Sequence, residues 1–290
     1  MKKHNFSLFY NSFYLSDFFR YKKVASRLIW YKKNSGWSWI NGQNFGDYLS
    51  LVIVCEIAIK EGLLPLHTTP TRLLALGSII HFAKDGDVIW GSGVNGKISK
   101  EKHQFTNLDI RMIRGPRTHG FLQNIIPVNN PLFGDPALLI PTIFQDLHWD
   151  PIPGKIIALP NLNDHTLEQM HIPKEITHIS PIRYWKNVLT EILTSELVIT
   201  SSLHGFILSD VFGVPVQLVK PSGGETLFKY HDYIEGTGRK LDKNIPSFAD
   251  AFQKKRRMNI PPPKYDVKQM LKAFPRDLFK KVDTNRIPAE

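Results

Sequence analysis

Two hydroxyls, an imidazole and the start of a helix fall together in Ser201-Ser202-Leu203-His204-Gly205. The N-terminus of a helix attracts phosphate, because its unpaired N–H groups and its dipole both favour an anion. Histidine at that position can donate or shuttle a proton near neutral pH. The same five residues also read as an ordinary helix cap by Ser202, with His204 simply packed. As part of a loop after a strand, His204 is expected to face solvent, so that its loss removes turnover and little stability.

Other loops offer complementary groups. Gly91-Ser92-Gly93 permits close backbone approach to a ligand at Gly91 and Gly93, although a tight turn alone would use the same residues. Arg114 and Arg117 stand one turn apart at the start of a helix, where the dipole disfavours cations. A carboxylate or phosphate held between two guanidinium groups would explain them, and so would two solvated surface arginines. Beyond the glycine loop Pro221-Ser222-Gly223-Gly224-Glu225, Lys229 and Arg239 could bring further cations to the same place. Asp85-Gly86-Asp87 precedes its apolar stretch instead of following it, so it reads as a turn feeding a strand. The histidines lack paired spacing and neighbouring cysteine, and no metal is expected.

The elements that must position these groups alternate along the chain. A helix is expected over 46–61, opened by Gly46-Asp47. Short apolar strands are expected at 73–76, 87–90 and 110–113, with Pro116 opening a helix. Six prolines between 127 and 153 mark a break, and a domain boundary is placed near 150. Strands resume at 155–159, 176–179, 197–200 and 214–219, with helices between. Alternation of this kind implies parallel sheets covered on both faces. The expected fold class is therefore α/β, with two Rossmann-like domains, 34–150 and 151–245, facing a cleft where ligands meet strand carboxyl ends.

Charge and composition bound the partners. The chain has 290 residues and a net charge of +11. Residues 1–33 hold eight Lys/Arg and one acid, residues 239–290 fourteen and six, and the middle fifteen and nineteen. Two basic segments, 1–33 and 246–290, thus flank a body of opposite sign. That distribution suits an anionic membrane surface better than nucleic acid. Phe6, Phe9, Tyr10, Phe13, Tyr14, Phe18, Phe19 and Tyr21 recur among lysines in the first segment. They fit a headgroup boundary, or packing on the body or on a second copy in a homo-oligomer. The tail is expected to be helical and set apart by Pro261-Pro262-Pro263. No apolar run approaches the length of a membrane span. Neither an export signal nor a disulfide is expected, since Cys55 is the only cysteine. A cytoplasmic protein, peripheral on the inner face of the membrane, is the expectation.

Read in order, Asn44-Phe45-Gly46-Asp47, Gly91-Ser92-Gly93, Ile113-Arg114-Gly115-Pro116-Arg117-Thr118, Gly134-Asp135-Pro136-Ala137 and residues 197–205 resemble the polysaccharide pyruvyl transferase family. Gly213-Val214-Pro215 after the His-Gly helix extends the resemblance, which covers roughly 40–240. It implies a metal-free fold of the glycosyltransferase B type. It also implies transfer of the enolpyruvyl unit of phosphoenolpyruvate, a co-substrate, with no cofactor expected, to a glycan or lipid-linked oligosaccharide, forming a pyruvate ketal. His204 would be the acid and Arg114 a catalytic cation, while Asp47 would cap its own helix or act as the base for the acceptor hydroxyl. Arg117, Ser201, Ser202, Gly205, Lys229, Asn44, Asp47, Gly91 and Gly93 would bind substrate. Two alternatives share the fold. One is a nucleotide-sugar glycosyltransferase in which Glu225 holds a ribose, and the other is a non-catalytic membrane-bound assembly factor.

Overall fold

The computed structural model describes residues 17, 20–21, 28–29, 44–65, 71–147 and 149–281. In chain order these residues form β1 (Leu28–Ile29), α1 (Phe45–Lys60), β2 (Leu63–Pro65), β3 (Leu73–Leu74), β4 (Val88–Trp90), β5 (Asp109–Met112), α2 (Pro116–Gln123) and α3 (Ile140–Ile143). After the proline-rich break come β6 (Ile156–Leu159), β7 (Ile176–His178), α4 (Trp185–Leu193), β8 (Leu197–Thr200), α5 (Leu203–Val211), β9 (Val216–Leu218) and α6 (Phe228–Gly236). The tail adds α7 (Phe248–Lys254), α8 (Val267–Lys272) and β10 (Phe279–Lys281).

The result is a mixed α/β architecture with two four-stranded parallel sheets, ordered β1-β3-β4-β5 and β7-β6-β8-β9. All of Val88–Trp90 and all of Leu197–Thr200 are buried, as strands covered on both faces must be. Asp85 and Asp87 serve the turn before β4. Asp85 accepts from the Thr106 and Asn107 amides, and Asp87 binds the Arg72 guanidinium.

Helix α1 ties the two sheets together. Only Asp47, Ser50, Glu56 and its terminal Lys60 interrupt an apolar sequence, and a helix apolar all round belongs in an interior. It packs on α3 and the 3-10 turn Pro136–Leu139 on one side and on α4 and α5 on the other. Its first amide, at Phe45, donates to the Pro181 carbonyl at 2.9 Å. The buried Glu56 binds Arg20 and the Tyr21 hydroxyl, while Asp17 accepts from Tyr48, Tyr184 and Trp185. These three residues of the N-terminal basic segment pack on the body; the aromatic positions before Asp17, with Phe18 and Phe19, lie outside the described residues.

The tail departs from the expectation of a detached helix. Beyond the three prolines, Met270 and Phe274 are fully buried, and the Trp90 indole donates to the Met270 carbonyl at 3.1 Å. Strand β10 then pairs antiparallel with β2, and Arg276 forms a bidentate pair with Glu61. The apolar residues Met270, Phe274, Leu278 and Phe279 find their burial on the first half of the molecule, and this draws the basic tail back across it. Met270→Ala is therefore expected to lower stability by about 2–5 kcal/mol in urea denaturation, as for a core methionine. Removal of Arg276 should cost no more than about 1 kcal/mol, because its pair is partly exposed. A helix detached from the body would show neither loss.

Candidate active site

A cavity of about 240 Å³ opens where loops from both sheets converge. Asn44 and Asp47 enter from the start of α1, Ser78 and His81 from beyond β3, and Asn95 and Lys97 from beyond β4. Residues 161–163 follow β6, Ser202 and His204 follow β8, and Glu225 and Lys229 follow β9. These loops sit at strand carboxyl ends, where parallel sheets leave backbone groups and helix starts free for ligands.

His204 is not the solvent-facing loop residue expected. The Ser202 hydroxyl accepts from the Gly205 amide at 3.2 Å and caps α5, which places His204 within the first helical turn. Its ring lies against Gly46 so closely that a Cβ there would fall 2.1 Å from Nδ1. The residue is 7% exposed, and its buried Nε2 has no hydrogen-bond partner among the described residues. Burial first, then the nearby Lys229 and Arg114 charges, push the imidazole down to about 3, so it is neutral at physiological pH. A neutral imidazole here can accept or donate one hydrogen bond to a ligand. It becomes an acid only when an anion in the cavity offsets the cations.

Asp47 is the group poised near neutrality. Asn44, not Asp47, caps α1, its side-chain oxygen accepting from Gly46 at 2.8 Å. Freed from capping, Asp47 faces the cavity, and burial pushes its carboxyl up to about 6 against the opposing pull of Lys229. Glu225 behaves oppositely. Burial would raise it, yet Lys229 at 2.8 Å, Asn163 at 3.0 Å and the Lys97 ammonium hold it at about 2. One carboxylate thus joins a lysine from each half of the molecule. Burial lowers Lys229 from the usual lysine range, with Glu225 partly restoring it.

The arginines lie elsewhere than expected. Arg114 is 1% exposed, and its guanidinium is consumed within the protein. Nε binds Asp232 at 2.9 Å, Nη1 the Ser78 hydroxyl at 2.6 Å and Nη2 the Val94 carbonyl at 2.6 Å. Arg117 pairs with Glu235, outside the cavity, and Arg239 pairs with Asp210. Arg114 and Arg117 each answer a carboxylate of α6. Gly93 and Gly91 serve packing as well. A Cβ at 93 would fall 2.4 Å from the Arg114 guanidinium, and one at 91 would strike Pro136. Ser201 is buried, its hydroxyl accepting from the Asn161 amide and its carbonyl from Tyr230, and the Gly205 amide is spent on Ser202.

Of the expected site residues, the cavity therefore brings together Asn44, Asp47, Ser202, His204 and Lys229. Sequence reading missed Ser78, His81, Asn95, Lys97, Asn161 and Asn163. All follow strand ends, so the rule that selected residues 201–205 could have selected them. Their polar types are too common in turns to stand out alone.

Burying Arg114 with Asp232 makes that pair costly to halve. Asp232→Asn and Arg114→Ala should each destabilise the fold by about 3–5 kcal/mol, because the remaining charge is stranded. Thermal and urea unfolding would check this. A stable Arg114→Ala protein with only a weaker affinity for an anionic substrate would contradict it.

Comparison with known proteins agrees with the motif order. The polysaccharide pyruvyl transferase model matches residues 3–221. The chain is 28% identical over 215 residues to the succinoglycan biosynthesis protein ExoV of Rhizobium meliloti. That match covers 67% of this chain and 62% of the relative, so the chain spans less than two thirds of the relative's length. A crystal structure of an uncharacterized Klebsiella pneumoniae protein aligns with a TM-score of 0.42 at 14% identity, covering 79% of this chain and 94% of that one. With a family model matching most of its length, the chain belongs to the polysaccharide pyruvyl transferase family.

Proposed function

We propose that the chain transfers the enolpyruvyl unit of phosphoenolpyruvate to a sugar of a surface polysaccharide, or of its lipid-linked repeat, and closes a pyruvate ketal. The observation that carries this reading is the meeting of His204, Asp47, Lys229 and Lys97 in one cavity of a family member. We read the two sheets as the halves of a glycosyltransferase B arrangement, with the reaction between them.

Phosphoenolpyruvate brings a carboxylate and a phosphate. Lys97 and Lys229 are the cations lining the cavity, and both are held by Glu225, so the substrate must compete with that carboxylate or share its lysines. Its negative charge raises the pKa of His204 and lets the imidazolium form. His204 then protonates the methylene carbon, and the adjacent carbon becomes oxocarbenium-like. A sugar hydroxyl adds to that carbon while Asp47 takes its proton. The C–O bond to phosphate breaks, and inorganic phosphate departs with the proton that Asp47 took. A neighbouring hydroxyl of the same sugar then closes the ring, giving its proton to His204, which is neutral after the first transfer.

Membrane association is part of the proposal in altered form. Among the described residues no helix is long and apolar enough to cross a membrane. The exposed run Lys254, Lys255, Arg256 and Arg257 begins at the last residue of α7 on the packed tail, so it presents charge from the body itself. Each cation near an anionic surface contributes roughly 1 kcal/mol. Placement at the inner face of the cytoplasmic membrane would follow. Salt-sensitive co-sedimentation with anionic vesicles, lost when these four are changed to Ser, is the expected result; equal binding to neutral vesicles contradicts it.

The reaction itself is tested by supplying phosphoenolpyruvate or a panel of nucleotide sugars with glycan acceptors and following which compound is consumed. Phosphate release from phosphoenolpyruvate is expected, and nucleotide release would point to a glycosyltransferase. His204→Gln should lower kcat by about 10²–10⁴, the usual contribution of a general acid. For a base that must be ionised, activity rises with pH. The acid limb of kcat/KM is thus expected near the Asp47 value of about 6, and should vanish in Asp47→Asn. Persistence of that limb in the variant assigns the base to another group.

A further inference from the structure

A second cavity, of about 220 Å³, opens beside the first and shares Asn161 and Leu162 with it. Its wall comes from residues 160–182, the loop beyond β6 and the carboxyl end of β7. The two cavities differ in charge. Neither lysine nor arginine lines the second, where Asp164 and Glu168 stand with His165, His178 and Ser180. Among the described residues no group of three or more His, Cys, Asp or Glu is placed to hold a metal. Carboxylates without a cation repel phosphate and carboxylate ligands, so this wall is unsuited to phosphoenolpyruvate. Asp164 is buried and already accepts from Thr166 and Ser222, but Glu168, His165 and His178 are exposed. The wall suits an uncharged molecule rich in hydroxyls, which that carboxylate and the imidazoles bind by accepting and donating hydrogen bonds.

The apolar part of the lining strengthens that assignment. Ile182 is 43% exposed there, beside Pro181, and large apolar side chains left open in a polar cavity mark a binding surface. A pyranose has both characters, C–H faces for Ile182 and Pro181 and a rim of hydroxyls. We infer that the second cavity seats the acceptor, an uncharged hexopyranose whose hydroxyls pass Asn161 and Leu162 into the cavity holding His204. The assignment rests on the pyruvyl transfer reading for the first cavity. Asp164 links the two, since it accepts from the Ser222 hydroxyl at 2.5 Å and Ser222 belongs to the glycine loop that carries Glu225. Burial keeps His178 below its usual range, so its ring is neutral and can both accept and donate.

Saturation-transfer NMR on the full chain, with the methyl pyranosides of glucose, galactose and mannose, tests the seat. At least one pyranoside should bind. His178→Ala and Ile182→Asn, both at exposed positions, should each weaken it about 3–10-fold, the effect of losing one hydrogen bond or contact. Saturating phosphoenolpyruvate should leave the sugar signal in place. Binding that ignores both substitutions, displacement by phosphoenolpyruvate, or no binding by any of the three overturns the proposal. Should phosphoenolpyruvate fail to bind while sugar binding still depends on His178, the acceptor seat stands and the donor assignment falls.

Discussion

Arg114 and Asp232 meet inside the molecule, and three separate pieces of the cavity wall hang on their contact. Through Nη1 the arginine holds Ser78, and through Nη2 it holds the Val94 carbonyl just before Asn95 and Lys97. Asp232 lies three residues beyond Lys229 on α6, and it also accepts from the Thr118 amide and hydroxyl at 2.8 and 2.7 Å. Two charges in a dry interior tolerate each other only when every lone pair and proton is matched. Here the matching groups come from both halves of the chain. The contact leaves no room for a side chain at Gly115, where a Cβ would fall 1.8 Å from the Asp232 carbonyl oxygen. Lys97 and Lys229 arrive at the same carboxylate, Glu225, because this pair sets the distance between their supports.

Around that anchor the packing is continuous. Helix α1 is buried against elements of both sheets, and the tail runs from α7 beside β8 to β10 beside β2. Apolar surface that could not be covered within one half is covered by the other. The hydrophobic effect is indifferent to which segment supplies the cover. The consequence for the site is rigidity: His204 is wedged against Gly46 by helices packed from opposite sides, so its ring has one place to go.

Electrostatics in the cavity follow from burial more than from charge count. Asp47 and Glu225 are both carboxylates near Lys229, yet one is pushed up to about 6 and the other held at about 2. The difference is direct hydrogen bonding. Glu225 receives two ammonium groups and an amide, whereas Asp47 feels Lys229 only through space. Two carboxylates with opposite protonation tendencies give the cavity a fixed anion and a proton carrier.

Local rules made part of this molecule legible in its residues alone. Short apolar runs between turn residues specify parallel strands, Pro116 and Ser202 specify helix starts, and loops after strands specify where a ligand can sit, because each depends on neighbours within a few positions. His204, Lys229, Ser202 and Asp47 stand out by such rules, and Asn44 through the family resemblance. Partner choice was not legible. Arg114 and Arg117 look like a pair aimed at a ligand until the carboxylates 118 positions away are folded against them. The same holds for the burial of His204, which depends on a glycine from another helix, and for the tail, whose basic surface conceals the buried Met270 and Phe274. A side chain's type and local periodicity are written in the sequence. The identity of what it faces is a long-range contact, and only the packed tertiary structure decides it.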